Sequence, residues 1–280
     1  ALAGYVEHAF GAWHPRGGVY GLVEALVRRL DALGGELRLN TPARAIGIAL
    51  GRARAVETDD GRIECDAVVC NTDALTLARE LLPGRVPEPR GPRSLSGYVL
   101  MLGLRGHTPG LAHHTIAFPG DYDAEFDDIF GARRPVRDPT LYVSASCVTD
   151  PGDAPQDCEN WFVLVNAPHE RPRGPHWDAE AEGYDEVLLD RLAARGFDVR
   201  ERIALRARRT PADLERETGA PGGAIYGTAP RGRVGTLRRP GNVVRGVGGL
   251  LLVGGTTQPG GGLPLVVLSA KVVADEIGPA

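Results

Sequence analysis

The residues with the clearest chemical capacity lie near the end of the 280-residue chain, at Val253-Gly-Gly-Thr-Thr-Gln-Pro-Gly-Gly-Gly-Leu-Pro-Leu-Val-Val-Leu-Ser-Ala270. An apolar strand there runs through a glycine-dense turn into a helical stretch. Glycines let a backbone approach a ligand closely, and the free N–H groups and positive dipole end of the helix favour negative charge. Such a turn can hold an anionic cofactor; a plain strand-to-helix turn with no ligand is the alternative that spacing leaves open.

Other chemistries find less support. His113-His114 has no H-E-x-x-H helix and no carboxylate or cysteine at ligand spacing, so hydrogen-bonded or solvated histidines are expected and no metal. Asp121, Asp123 and Glu125 imitate a calcium loop, but Phe126 stands where that loop needs glycine, and the reading is an acidic helix start with Tyr122, Phe126, Ile129 and Phe130 inward. Neither G-x-S-x-G nor S-x-x-K occurs, which removes support for a serine hydrolase. Trp161 to Val165 reads as an ordinary core strand in preference to a lipid-tunnel wall, and Arg206 to Arg209 as a solvated face or a contact for anionic lipid.

The elements that must position the turn follow from periodicity. Val19, Leu22, Val23, Leu26, Leu30 and Leu33 share a helical face behind Gly17-Gly18, with Gly34-Gly35 as the stop. Glu36 to Leu39, Ala43 to Leu50, Arg52 to Thr58 and Arg62 to Cys65 read as strands of a β-meander, with Gly51 and Asp59-Asp60-Gly61 as turns. Asp66 to Cys70 is a buried strand feeding a helix capped by Asn71-Thr72-Asp73. Past a Pro/Gly/Arg-rich boundary at Pro83 to Pro92, strands are expected at Ser96 to Arg105, His114 to Phe118, Thr140 to Val148 and Asn160 to Ala167. Helices are expected at Asp121 to Phe130, at Trp177 to Arg195 and after Thr210, whose spacing to Asp213 is that of a capping box. Leu250 to Val253 and a helix from Pro264 return to an α/β style.

The chain thus divides into a βα-type domain with its β-meander (1–85), an α+β insert with an antiparallel sheet (86–240), and a C-terminal strand-turn-helix completing the first domain (241–280). The fold class is α/β, a βα-type domain interrupted by an insert.

A net charge of -4, with 42% hydrophobic and 24% charged residues, describes a folded globular chain without the basic field that drives nucleic-acid binding. Cys65, Cys70, Cys147 and Cys158 form no C-x-x-C pair and read as buried apolar residues in a reducing cytoplasm. No apolar run reaches membrane-spanning length. One lysine, Lys271, among many arginines suggests a GC-rich bacterial source. A start at Ala1, with Met101 the only methionine, reads as a fragment of a longer product.

Gly254-Gly255-Thr-Thr-Gln-Pro-Gly-Gly-Gly262-Leu-Pro264, followed by the helix through Ser269, resembles the C-terminal flavin-contacting signature of phytoene desaturases and related carotenoid desaturases. The resemblance extends through Gly17-Gly18, Gly34-Gly-Glu-Leu-Arg-Leu-Asn40-Thr-Pro, Val68-Val-Cys-Asn-Thr-Asp73, Phe118-Pro-Gly-Asp-Tyr122 and Gly222-Gly-Ala-Ile-Tyr226-Gly. It implies that 1–85 and 241–280 form a partial, incomplete Rossmann-like FAD-binding domain of the glutathione-reductase type interrupted by a substrate domain at 86–240, with Gly254, Gly255, Thr256, Gly262 and Leu263 at the flavin end of FAD and the backbone near Ala43 against the adenine. Ala43 departs from the family's usual Val, and Gln258 from its His. The resemblance also implies removal of two hydrogens from a carotenoid or related polyisoprenoid, a lipophilic polyene, with peripheral attachment to the inner face of the membrane. No catalytic base is marked by sequence.

The G-x-G-x-x-G turn that holds the pyrophosphate in that family is absent from the 280 residues. Weak FAD binding by this chain alone is the expectation, with a separate N-terminal FAD-binding half as a candidate partner. A flavin amine oxidase-like enzyme and a non-catalytic fragment or subunit are the alternatives; the 6% aromatic content weighs against the aromatic cage of the former.

Overall fold

The computed structural model describes residues 5, 8–11, 13–171, 176–229, 235 and 239–279. Helix α1 spans Tyr20–Ala32 and is followed by a three-stranded antiparallel meander, β1 (Ala43–Ala49), β2 (Arg52–Thr58) and β3 (Gly61–Glu64). The turns fall at Leu50-Gly51 and at Asp59-Asp60. Arg44 grips Asp59 at 2.6 Å across the first pair, and Ala53 and Ala55 of β2 are wholly buried.

Strand β4 (Val68–Cys70) leads into a short helix, α2 (Ala74–Thr76), which continues as a π turn at Leu77–Leu81. The partner of β4 comes from the far end of the chain: β10 (Leu250–Leu252) lies parallel to it, with Val68 opposite Leu250 and Cys70 opposite Leu252. Ile46, Ala53, Val68, Leu77, Leu82, Leu250 and Leu252 close a core between this pair and the meander. A parallel pair needs a long crossover connection, and here more than 150 residues intervene, from which the second sheet is built.

That second sheet has five antiparallel strands in the order β6-β7-β8-β5-β9: β5 (Ser96–Arg105), β6 (His114–Ala117), β7 (Leu141–Ser144), β8 (Cys158–Ala167) and β9 (Ile203–Arg209). Alternate residues Tyr98, Leu100, Leu102 and Leu104 of β5 and Trp161, Val163 and Val165 of β8 point into a core covered by α4 (Trp177–Ala194). Tyr98, Trp177 and Tyr184 meet there in tilted and edge-on contacts, and the Tyr98 hydroxyl donates to Asp185 Oδ1 at 2.6 Å. Helix α3 (Tyr122–Phe126) continues as a π turn to Ala132; α5 (Pro211–Thr218) carries the expected capping box, Thr210 with Asp213. The last helix, α6 (Leu263–Ile277), returns behind β10.

Several expectations are corrected. Glu36 to Leu39 is irregular, with Leu37 and Leu39 exposed and, among the described residues, no strand beside them to accept their backbone bonds. The strand from Thr140 ends at Ser144, where Ser146–Val148 tightens into a 3-10 turn. Glu125 lies inside, taking bonds from Thr140 and Asn166, whereas Tyr122 is half exposed. The Arg206 to Arg209 run forms the edge strand β9, which the sequence reading missed; Arg206 pairs with Glu186, Arg208 with the buried Asp185 and Arg209 with Glu217. Only Cys70 among the cysteines is fully buried, and all four are free. Helix α1 forms as expected, yet none of its residues is buried. Val69, in the middle of β4, is likewise open.

Candidate functional site

The glycine turn is held from three sides. Gly254, at φ 103°, donates its N–H to the Oγ of Ser269, a fully buried residue of α6. The Asn242 amide donates to that same hydroxyl at 3.0 Å, to Leu252 O at 2.9 Å and to Gln258 O at 3.1 Å, so strand, turn and helix share one polar clamp. Thr256 Oγ1 accepts from the Ala74 N–H, which fixes the turn to the start of α2. Asp73 caps α2 through the Leu75 N–H and forms a buried ion pair with Arg93 at 2.8 Å.

The second glycine motif, Gly222 to Gly227, packs directly on the first. A Cβ at Gly261 would strike the Tyr226 ring, and one at Gly227 would lie 2.9 Å from Thr256 Cβ. Arg239 bridges the two, its Nη1 donating to Gly255 O at 2.8 Å and to Tyr226 O at 3.1 Å. Gly254, Gly255 and Thr256 are thus committed to shaping the turn.

Gly262 and Leu263 are different. Gly262 is the N-cap of the 15-residue α6, at φ 102° and ψ 144°, and no side chain caps that helix end. A Cβ there would meet nothing within 4 Å, and Leu263 is exposed. Pro264 has no N–H, and the first backbone bond into the helix runs from Val266 N to Gly262 O, so among the described residues the Leu263 and Leu265 N–H groups stay open. An uncapped helix end with free donors and clear approach suits an anion or a polarised oxygen.

Ala43 stands elsewhere. It is exposed at the head of β1 and lines a hollow of about 300 Å³ with Thr41, Val56, Thr58, Val68 and Val69, separate from the glycine turn. Beside α2 a polar cavity of about 580 Å³ includes Arg93, His169, Glu170 and Arg171. Burial, then the charges of Arg171 and Arg93, push His169 down to about 4, so its ring is neutral and accepts from Arg171 Nε at 2.6 Å. His113 bonds Thr149, and His114 bonds Tyr142; among the described residues no cluster with metal-ligand geometry occurs. Sequence reasoning missed Arg239 and the Asp73–Arg93 pair, because an arginine's partner across the fold leaves no local spacing signal.

A parallel β4/β10 pair running through a glycine turn into an uncapped helix, joined to an antiparallel insert, defines a mixed α/β fold. Residues 3–118 match the family described as flavin containing amine oxidoreductase. The chain is 33% identical to a 1-hydroxycarotenoid 3,4-desaturase of Flavobacterium sp. (strain P99-3), over 98% of its own length and 56% of the relative. It is 34% identical to a zeta-carotene-forming phytoene desaturase of Myxococcus xanthus, over 99% of the chain and 54% of the relative. A 4,4'-diapolycopene oxygenase of Methylomonas sp is 33% identical, over 99% and 57%. Among solved structures, an oxidoreductase from Methanosarcina mazei shares the fold with a TM-score of 0.62 at 18% identity, covering 95% of this chain and 56% of that one. The chain is a relative of the phytoene and carotenoid desaturases, a group of FAD-dependent oxidoreductases, and spans little more than half the length of these relatives.

Proposed function

We propose that this chain supplies the flavin end of the FAD site and the substrate sheet of an enzyme that dehydrogenates a carotenoid or related polyisoprenoid. The observation that carries the reading is the uncapped, approachable N-terminus of α6 at the end of a turn packed against the substrate sheet's own glycine motif. The residues fit the cofactor: Gly262 leaves space where any other side chain would intrude, and the Leu263 and Leu265 N–H groups aim free donors at it. Gly254, Gly255 and Thr256 hold the turn in shape. The strand around Ala43, with Val68 and Val69 lining the same hollow, is proposed to meet the adenine.

Bound FAD supplies a two-electron acceptor for a hydride. The protein's part is electrostatic and positional. The helix end stabilises negative charge placed beside it by about 0.3–1 kcal/mol, and by up to about 2 kcal/mol where the geometry is sheltered. Substrate alignment falls to the five-stranded sheet. Its register sets His114, Ser144, Phe162, Met101 and Ala207 in one row on the face away from α4, with Ile116 and Phe118 beside them. That face also carries Val99, Leu164 and Leu205, an apolar patch larger than a solvated antiparallel sheet needs, which suits a polyene. Residues 1–85 and 241–280 are proposed as one domain and 86–240 as the other.

The open apolar stripe of α1 and the exposed Val69 of a two-stranded parallel sheet call for a covering layer, since parallel sheets are stable only when both faces are buried. The proposed cover is a βαβ unit homologous to the remainder of the relatives' length. The test is to extend this chain with such a unit, load FAD, and incubate it with phytoene in liposomes. Products lacking pairs of hydrogens, read by chromatography with absorbance of the lengthened polyene, support the reading; an extended, flavin-loaded protein that leaves phytoene and longer polyenes unchanged overturns it. Among the described residues no helix is long and apolar enough to cross a membrane.

A further inference from the structure

A cavity of about 600 Å³ lies on the other side of α2 from the polar one, walled by Leu77, Val86, Pro87, Val243, Val244 and Leu252. At its end stands Arg239, half-buried. Only Nη1 of its guanidinium is engaged, by two neutral carbonyls; among the described residues it has no carboxylate partner, and Nε and Nη2 carry no bond. At the polar cavity, by contrast, Arg79 is paired with Glu88 and Arg93 with Asp73. The sequence around Arg239 offers no compensation. From Thr218 to Ala274 the chain contains Arg231, Arg233, Arg238, Arg239, Arg245 and Lys271 and not one Asp or Glu. Arg245 lines the same cavity.

A charge taken partly out of water without a counter-ion is costly, whereas a charge-assisted bond to an anion satisfies it. Apolar walls, a cation with unused donors at one end and an acid-free surround together select an amphiphile. We propose that this cavity is a binding site for a molecule with an aliphatic body and a single carboxylate head, the head on Arg239 Nε and Nη2 and the body along Val243, Val244 and Leu77. The Arg239 bond to Gly255 O makes such a ligand felt at the glycine turn, although the site itself does not depend on the flavin reading.

The test is calorimetric titration of the full 280-residue chain with sodium decanoate, below its micelle concentration, and with 1-decanol as the uncharged analogue. Decanoate is expected to bind with one-to-one stoichiometry and at least about tenfold more tightly than decanol, the scale of a hydrogen bond to a charged group. Arg239→Gln should remove that preference. Because Arg239 also braces two turns, Val243→Glu provides a second variant that keeps the brace and sets a carboxylate on the half-exposed wall; it should weaken decanoate by a similar factor and leave decanol unchanged. Arg79→Gln, at the polar cavity, should change neither. Equal binding of decanol and decanoate, no binding of decanoate, or decanoate binding unaltered in folded Val243→Glu protein overturns the proposal.

Discussion

Gly219 and Gly223 offer a matched pair of perturbations. Both have φ 66°, in the left-handed region, so alanine carries the same backbone strain at either position, about 1–2 kcal/mol. Their surroundings differ. An added Cβ at Gly219, the residue ending α5, meets nothing within 4 Å. At Gly223 it would fall 2.8 Å from the Pro211 carbonyl carbon and 3.0 Å from Pro211 Cα, against backbone at the start of α5 that no rotamer change can move aside. Overpacking of that kind adds about 1–3 kcal/mol. Gly219→Ala should therefore cost about 1–2 kcal/mol and Gly223→Ala about 2–5 kcal/mol, the larger loss because Ser96 Oγ also relies on Gly223 O at 2.6 Å. For a chain of this size each kcal/mol lowers the melting temperature by roughly 2–4 °C. Thermal melts and urea titrations of the two variants give the comparison directly. Equal destabilisation would refute the claim that the Gly222 to Gly227 motif needs glycine for close packing and not for its dihedral angle alone.

Asp73→Ala should cost about 3–5 kcal/mol, because it strands the half-buried Arg93 as well as uncapping α2; urea unfolding checks this, and Arg93→Met with Asp73→Asn should recover much of the loss. His169 sets a pH window. Its folded value of about 4 lies below the ordinary 6.5, so the unfolded chain takes up a proton first, and stability present above pH 6.5 is lost as pH falls towards 4. That shift corresponds to roughly 3 kcal/mol at most, and His169→Gln should flatten the unfolding free energy across this interval. Glu159 acts at lower pH: burial opposes its charge, but the Thr108 donors and Arg202 outweigh burial and hold the carboxyl below its usual range. Its contribution, present above the ordinary carboxylate value, should fade as pH drops through the lower folded value, and Glu159→Gln should lose most stability at neutral pH and least in acid. Thr210→Ala removes one half of the α5 capping box and should cost about 1 kcal/mol by the same melts.

Much of the fold was legible because it is written in local periodicity. The alternation of Tyr98, Leu100, Leu102 and Leu104 announces β5, the Gly51 and Gly61 turns announce the meander, and Thr210 with Asp213 announces a helix start. What stayed hidden depends on partners distant in sequence. Residues Ile203 to Arg209 look like a solvated arginine run until Asp185 and Glu186 of α4 are placed beside them. Leu37 and Leu39 have the composition of a strand and, among the described residues, no neighbouring strand to make them one. At the candidate site, Gly262 and Leu263 could be named from their motif, but that Gly254 answers to Asn71, Gly261 to Tyr226 and Thr256 to Gly227 required the packing itself. Arg239 shows the limit most plainly, since nothing in its sequence neighbourhood distinguishes it from Arg238.

The most direct test of the account is flavin retention, read as absorbance near the flavin band after desalting, for this chain alone and for the chain extended with a βαβ unit bearing G-x-G-x-x-G, each with Gly262 or with Gly262→Val. The account predicts stoichiometric flavin on the extended protein, little on the chain alone, and loss from the extended protein when valine fills the space before α6. Stoichiometric flavin on the chain alone, or full retention by the folded extended Gly262→Val protein, would contradict it.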